Sequence, residues 1–198
     1  MNIFTISVLW DIWINTRLLK ILDSIIVTKL IAEEGRIMKL IKLTPQDGQP
    51  YYQLLQNIGR FENGFENKVK DYDYEQYLQW LIEADTQADP SFGDEKMVPQ
   101  VTYWMWDGHP VGIGRVRLRL NAQLLESGGN VAYAIAKNER RKDYGNALLA
   151  LLLQECEKLQ VSPVQASVNK DNEASNKVVV KNGGCLFKQT NIENIYRW

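Results

Sequence analysis

The 198-residue chain predicts an α/β fold of the mixed α+β kind, with a central, mostly antiparallel sheet flanked by helices, and three observations lead there. From residue 38 onward, runs rich in Val, Ile and aromatic residues alternate with segments of helical spacing. The composition, 45% apolar and 24% charged, is that of an ordinary soluble globular chain. The segments also follow one another without repeats or a linker, so a single domain of residues 38–198 is expected, preceded by an extension of residues 1–37.

The extension is rich in Ile, Leu and Trp, but Asp11, Arg17, Lys20, Asp23 and Lys29 interrupt it. It therefore lacks the roughly 20 consecutive apolar residues that span a bilayer. No positive residue precedes its first apolar run and no small-residue cleavage site follows, so it is a poor secretory signal. Met38 stands just after Glu33-Glu34-Gly35-Arg36, residues that an unbroken purine run can encode. A translated leader ahead of a natural start at Met38 is the expectation; an amphipathic arm is the alternative.

The elements then come in the order β-α-α-β-β-β-α-β-α-β-β. Residues 38–43 form a strand, and residues 51–60 and 74–87 form helices, the second with Tyr74, Tyr77, Leu78, Leu81 and Ile82 along one side. Between the helices, residues 61–73 are a loop rich in Asn, Gly and charge. Residues 98–107 and 111–120 flank Gly108-His109 as a hairpin, with the aromatic and β-branched residues that suit a pleated surface. Residues 121–129 are a connector, and residues 130–136 the next strand. A helix opens after Tyr144, with Leu148, Leu149, Leu151, Leu152 and Leu153. Strand 163–169, helix 172–183 and strands 185–190 and 194–198 complete the chain.

Composition also excludes. A net charge of -1 leaves no basic excess for general nucleic-acid binding. Cys156 and Cys185 make no spaced pair and are expected as buried free thiols in a reducing cytoplasm. His109 is the one histidine and lies in a turn sequence, so no metal site is expected.

The turn before the leucine-rich helix runs against electrostatic preference. A helix start carries partial positive charge and favours acidic neighbours, yet this one follows Arg140, Arg141 and Lys142. Cations together with free N–H groups at a helix N-terminus make a site for a phosphorylated ligand; a solvated basic turn is the plainer reading. No Gly-Lys-Ser/Thr follows, so it is not a Walker loop, and the glycines of the dinucleotide fingerprint are missing.

"RRKDYG", residues 140–145, resembles the acetyl-CoA signature of the GNAT superfamily of N-acetyltransferases, Arg/Gln-x-x-Gly-x-Gly/Ala. Residues 169–184 are similar to that family's Asn-x-x-Ala/Ser helix, and residues 97–136 resemble a bacterial subgroup of uncharacterised predicted acetyltransferases. The resemblance covers residue 38 to the end and implies a GNAT-like fold with acetyl-CoA as acyl donor. It implies that Ala134, Ile135 and Ala136 offer backbone groups to the pantetheine arm. The pyrophosphate would lie on the amides from Arg141 through Lys142, Asp143, Tyr144 and Gly145 to Asn146, with the Arg140, Arg141 and Lys142 side chains nearby. Asn172 and Ser175 match a position where a polar side chain meets the coenzyme, although Asn172 is also a good helix N-cap. The chain departs from the pattern twice: Asp143 replaces the first glycine, and Val179 stands where many relatives carry a tyrosine acid.

Acetyl transfer to an amine needs removal of a proton and stabilisation of an oxyanion. Glu126 is the candidate base, with plain surface charge as its alternative. Tyr133 is the candidate for lining the acetyl site, with core packing as its alternative. The backbone N–H of Ile135 is the candidate oxyanion donor. The acceptor is an unidentified amine, bordered by residues 61–73 and 121–129, whose acidic residues would favour a cation. The expected protein is a cytoplasmic bacterial N-acetyltransferase without metal or membrane partner, with a homodimer left open; a non-catalytic acyl-CoA sensor of the same fold is the alternative.

Overall fold

The computed structural model describes residues 38–62 and 64–198, so the leader and arm readings of residues 1–37 lie outside it. In chain order the elements are β1 (Lys39–Lys42), α1 (Gln49–Gln56), β2 (Phe61–Glu62), β3 (Phe65–Glu66), α2 (Tyr74–Thr86), β4 (Gln100–Trp106) and β5 (Pro110–Arg117). After them come α3 (Ala122–Glu126), β6 (Val131–Ile135), α4 (Tyr144–Lys158), β7 (Gln165–Asn169), α5 (Glu173–Lys181), β8 (Cys185–Gln189) and β9 (Glu193–Arg197).

The expected antiparallel sheet flanked by helices is present, divided into two larger parts beside the small β2–β3 pair. β1, β4, β5 and β6 pair antiparallel in the order β1-β4-β5-β6, and β7, β9 and β8 pair antiparallel in the order β7-β9-β8. They meet at one isolated bridge, Gly129 to Ala166, beside Asn130, whose N–H donates to Gln165 O at 2.7 Å. Beyond that point no ladder joins β6 to β7 among the described residues.

Each face of the first sheet buries its own core. On one face α4 contributes Leu148, Leu149 and Leu152, all fully buried, each a gain of about 1.5–3 kcal/mol over exposure. Alternate residues of β5 make room for it. A Cβ on Gly112 would come within 2.7 Å of Ile135 Cδ1, and one on Gly114 within 2.8 Å of the Leu152 side chain. The helix therefore lies close on the strand, and its N-terminus is delivered to the end of β6. The opposite face is covered by α1, α2 and the β2–β3 hairpin through Leu54, Leu55, Phe65, Tyr77 and Leu81.

α2 begins at a capping box, with Gln76 N donating to Asp73 Oδ1 at 2.8 Å and Asp73 N to Gln76 Oε1 at 2.9 Å. Its buried residues are Tyr77, Trp80, Leu81 and Ala84, whereas Leu78 and Ile82 are exposed. The inward stripe thus lies further toward Trp80 than the spacing predicted, because Trp80 packs edge-on against Trp104. The expected loop 61–73 contains the β2–β3 hairpin, and the expected connector 121–129 contains α3, both too short to show a period in sequence. Cys156 is buried, and burial pushes its thiol up to about 12. Cys185 is exposed on β8, against the expectation of two buried thiols, since every residue of that strand is exposed. No described helix is long and apolar enough to cross a membrane.

Candidate functional site

The β6–β7 gap is the start of the site. Arg117 N donates to Asn130 O and Ala136 N to Val111 O, so even-numbered residues of β6 face β5 in the alternating antiparallel pattern. The backbone groups of Val131, Tyr133 and Ile135 accordingly point away from β5, toward β7. Of the three positions expected to offer backbone groups, Ile135 does so, while Ala134 and Ala136 turn theirs to β5. The Ile135 carbonyl accepts from Arg140 Nε at 3.2 Å, which leaves its N–H facing the gap.

A cavity of about 870 Å³ fills the gap and continues to the N-termini of α4 and α5. Tyr133, Ala134, Ile135, Arg140, Arg141, Asp143, Tyr144, Gly145, Asn146, Asn172 and Ser175 line it; Glu126, Ala136 and Lys142 do not.

The basic turn is more structured than a row of three free cations. Arg140 ion-pairs with Glu62 of β2, which Lys137 also approaches at 3.6 Å. Lys142 binds Glu139 at 2.8 Å, and Glu139 is buried and also contacts His109 Nε2 at 3.2 Å. These two cations hold the turn against the hairpin and the strand ends. Arg141 makes no ion pair among the described residues and lines the cavity. Arg141 and Asp143 both take left-handed backbone, φ 63 and 60, a conformation that disfavours side chains but that Asp tolerates better than most. That geometry accounts for a glycine in the signature at this position.

Asp143 is the residue before α4, yet its side chain makes no cap hydrogen bond. It meets Lys181 Nζ at 3.4 Å and Asn146 Nδ2 at 3.3 Å instead. Asp143 therefore caps none of the N–H groups in the first turn of α4. A Cβ on Gly145 would lie 3.8 Å from Tyr133 and 3.9 Å from Val178, ordinary contact in the cavity wall.

α5 is capped from within. Ser175 N donates to Asn172 Oδ1 at 3.1 Å, and Asn172 Nδ2 donates to Ser175 Oγ at 2.9 Å. Next to Ser175, the Tyr133 hydroxyl is buried without a hydrogen-bond partner. Burial pushes its phenol up to about 12, with the Ser175 side chain pulling slightly the other way. Tyr133 therefore stays protonated at neutral pH, and its side chain is part of the cavity wall.

Glu126 ends α3 with its side chain exposed and ion-paired to Lys188 Nζ at 2.7 Å, and that hydrogen bond holds its carboxyl below the ordinary range. Sequence reasoning missed Arg117 and Ser167 in the cavity wall, whereas Glu62, in the loop expected beside the acceptor, does line it. Arg117 lies in an alternating strand pattern that reads the same whether its partner is water or a ligand. Among the described residues, no cluster of three or more His, Cys, Asp or Glu could hold a metal ion.

The family described as Acetyltransferase (GNAT) domain matches residues 38–184, and the chain belongs to that family of acetyltransferases. Its fold is similar to that of the Campylobacter jejuni N-acetyltransferase PseH in complex with acetyl coenzyme A, at TM-score 0.54 and 14% identity over 82% of this chain and 98% of that one. It is similar also to Mycobacterium smegmatis RimJ in complex with CoA-disulfide, at TM-score 0.60 and 14% identity over 81% of each chain. The microcin C7 self-immunity acetyltransferase MccE in complex with acetyl-CoA and AMP is a third, at TM-score 0.58 and 14% identity over 81% of this chain and 91% of that one. No curated protein sequence matches the chain significantly.

Proposed function

We propose that the protein is an acetyl-CoA-dependent N-acetyltransferase acting on a primary amine of a small molecule or peptide. The observation that carries the reading is the cavity that joins the β6–β7 gap to the N-terminus of α4, where Asp143 caps no backbone N–H. The amides of α4 and the Arg141 side chain suit a pyrophosphate, because free N–H groups and the helix dipole both favour an anion. The N–H groups of Tyr133 and Ile135, facing the gap, suit the pantetheine arm and the oxyanion.

The coenzyme supplies an activated thioester; the amine nitrogen forms the new C–N bond as the C–S bond breaks. The protein's part is to fix the carbonyl, receive the amine proton and donate one to the departing sulfur. Tyr133 is the candidate donor for this last step, with its hydroxyl protonated and without a partner. The position where many relatives carry a tyrosine is Val179, buried in α5. Glu126 would act as base only by leaving Lys188, so direct loss of the proton to water in the open cavity is the simpler route.

The reading is tested by melting temperature and thiol release. Acetyl-CoA should raise the melting temperature, as a ligand selective for the folded state does, and coenzyme thiol should be released with a panel of amines. Equal stabilisation by adenosine nucleotides, with nothing added by acetyl-CoA, would remove the assignment. The alternative reading, a sensor that binds acyl-CoA without turnover, is favoured by Val179 and predicts stabilisation without thiol release from any amine.

A further inference from the structure

The charges of the cavity are divided between its two ends. Arg141, Asp143 and Glu139 lie at the α4 end, and Glu62 is held there by Arg140. Glu193 stands opposite Asn169, at the far end of β7 from Ala166. At the other end, where Gly129 bridges Ala166 and the strands converge, the wall is made of Ser127, Gly128, Ser167 and one charged side chain, Arg117.

Arg117 is unusual in what it lacks. Among the described residues its one side-chain hydrogen bond runs from Nη1 to the Gly129 carbonyl at 2.7 Å, and it makes no ion pair with any described carboxylate. A guanidinium has five donors, so most of this one's hydrogen-bonding capacity is uncommitted. Two residues before it on the same face of β5, Arg115 lies 4.5 Å from the Phe65 ring centroid and donates to Glu66 O at 3.2 Å. Arg115 likewise makes no ion pair among the described residues. Burial lowers both groups, Arg115 to about 10; Arg117 adds to the lowering of Arg115, while the nearby Glu66 carboxylate opposes it. Two partly desolvated cations side by side are unfavourable without an anion between or beside them, and nothing described on the protein supplies one at Arg117.

A coenzyme with its pyrophosphate at α4 directs its acyl end along the gap toward this convergence. We propose that Arg117 is a specificity residue for the acceptor, and that the acceptor is an amine that also bears an anionic group, held by the Arg117 guanidinium beside the acyl end of the cavity. The inference rests on the acetyltransferase reading above. Carboxylate and phosphate share the chemistry, since the planar fork of arginine binds either in a bidentate way. It departs from the cationic acceptor that the acidic loops suggested in sequence. Glu66 and Asp71 of those loops lie outside the cavity wall, Glu62 is ion-paired to Arg140 and Glu126 to Lys188.

Matched acceptor pairs test it: an amino acid against its carboxamide, and phosphoethanolamine against ethanolamine, with thiol release as the readout. Wild-type kcat/KM should favour the anionic member of at least one pair by about tenfold or more, the carboxylate and phosphate arms showing which anion fits. Arg117→Met should bring that ratio close to one, chiefly through KM, and Arg117→Lys should keep part of it. Acetyl-CoA should still raise the melting temperature of both variants, which separates a lost subsite from a lost fold. Wild-type indifference to the anion overturns the inference, as does a preference that survives Arg117→Met. If no pair member turns over, stabilisation of the CoA-loaded wild type, but not of Arg117→Met, by the anionic members supports it, and no such stabilisation overturns it. Failure of acetyl-CoA to stabilise the wild type is a different result, which removes the acetyltransferase reading itself and this inference with it.

Discussion

Two helices start at the same cavity and treat their first turns in opposite ways. At α5, Asn172 closes the turn with two hydrogen bonds to Ser175. At α4, the residue in the same place, Asp143, is turned left-handed and caps no backbone N–H; its carboxylate meets only side chains, Lys181 of α5 and Asn146 in the first turn of α4. Both residue types are good N-caps, so side-chain chemistry alone does not separate them. Backbone geometry does: φ is -82 at Asn172 and 60 at Asp143, and the second points the carboxylate off the helix axis. A capped helix start is complete by itself, and an uncapped one beside a cavity is available to a ligand.

The sharpest way to break this contrast is at Gly145, in the open turn. Its φ is not positive, so a side chain there meets no backbone penalty but enters the cavity between Tyr133 and Val178. Gly145→Val should weaken acetyl-CoA binding by about a hundredfold, roughly 2.7 kcal/mol, with a far smaller change in melting temperature. Isothermal titration beside thermal unfolding checks it; wild-type affinity would close the α4 site as a candidate.

Tyr133→Phe removes a buried hydroxyl that makes no geometrically sound hydrogen bond among the described residues, Ser175 being its polar neighbour. Turnover should fall by about three- to tenfold, the scale of one lost hydrogen bond. Stability should hold or rise, because a buried unsatisfied hydroxyl is lost with it. A drop in melting temperature with unchanged turnover would mean that the hydroxyl is structural. The raised phenol has a pH signature too. Folded Tyr133 ionises above its ordinary value of 10.0, so its contribution to stability is level below pH 10 and declines as pH rises toward about 12.

Asn172→Ala tests the closed turn. It should cost about 1 kcal/mol of stability through the lost cap, while acetyl-CoA affinity changes less than about threefold. A tenfold loss of affinity would show that Asn172 also meets the ligand, and the two helix starts would then be alike in function.

A modest gain rather than a loss is expected at Asp143. Asp143→Gly suits the left-handed backbone and should raise stability by about 0.5–1 kcal/mol; the long, exposed Lys181 contact removes little from that gain. Asp143→Asn removes the charge and keeps a side chain, so it should leave stability nearly unchanged. Coenzyme affinity in both should tighten by about two- to tenfold, more at low salt. Weaker binding in both at every salt concentration would show that the carboxylate supports the turn.

Elements with a clear period were legible before the structure. The β4–β5 hairpin, the α4 leucines and the basic turn ahead of them follow from local pattern, because strand and helix each bury a repeating face. The β2–β3 hairpin and α3 were not legible, being shorter than one full period. Local spacing also misplaced the inward face of α2: Leu78 and Ile82 are as apolar as Leu81, and only the position of Trp104 decides that Trp80 goes inside. Cys185 failed for a related reason, since β8 is the edge of its sheet and is exposed along its whole length.

By itself, the sequence determined the order of the longer elements, the place of the basic turn and the family signature, all carried by residues within a few positions of one another. Which cations of that turn remain free was decided by tertiary structure alone. Arg140 and Lys142 are held by Glu62 and Glu139, the first of them far off in the chain, and Arg141 is left to the cavity. The same is true of Arg117, which is ordinary in an alternating strand and becomes a candidate subsite only when β7 meets the chain at Gly129. The physical reason is common to both: a charge is read from the chain, but its partner is set by packing, and an unpaired charge is defined by the partner it lacks.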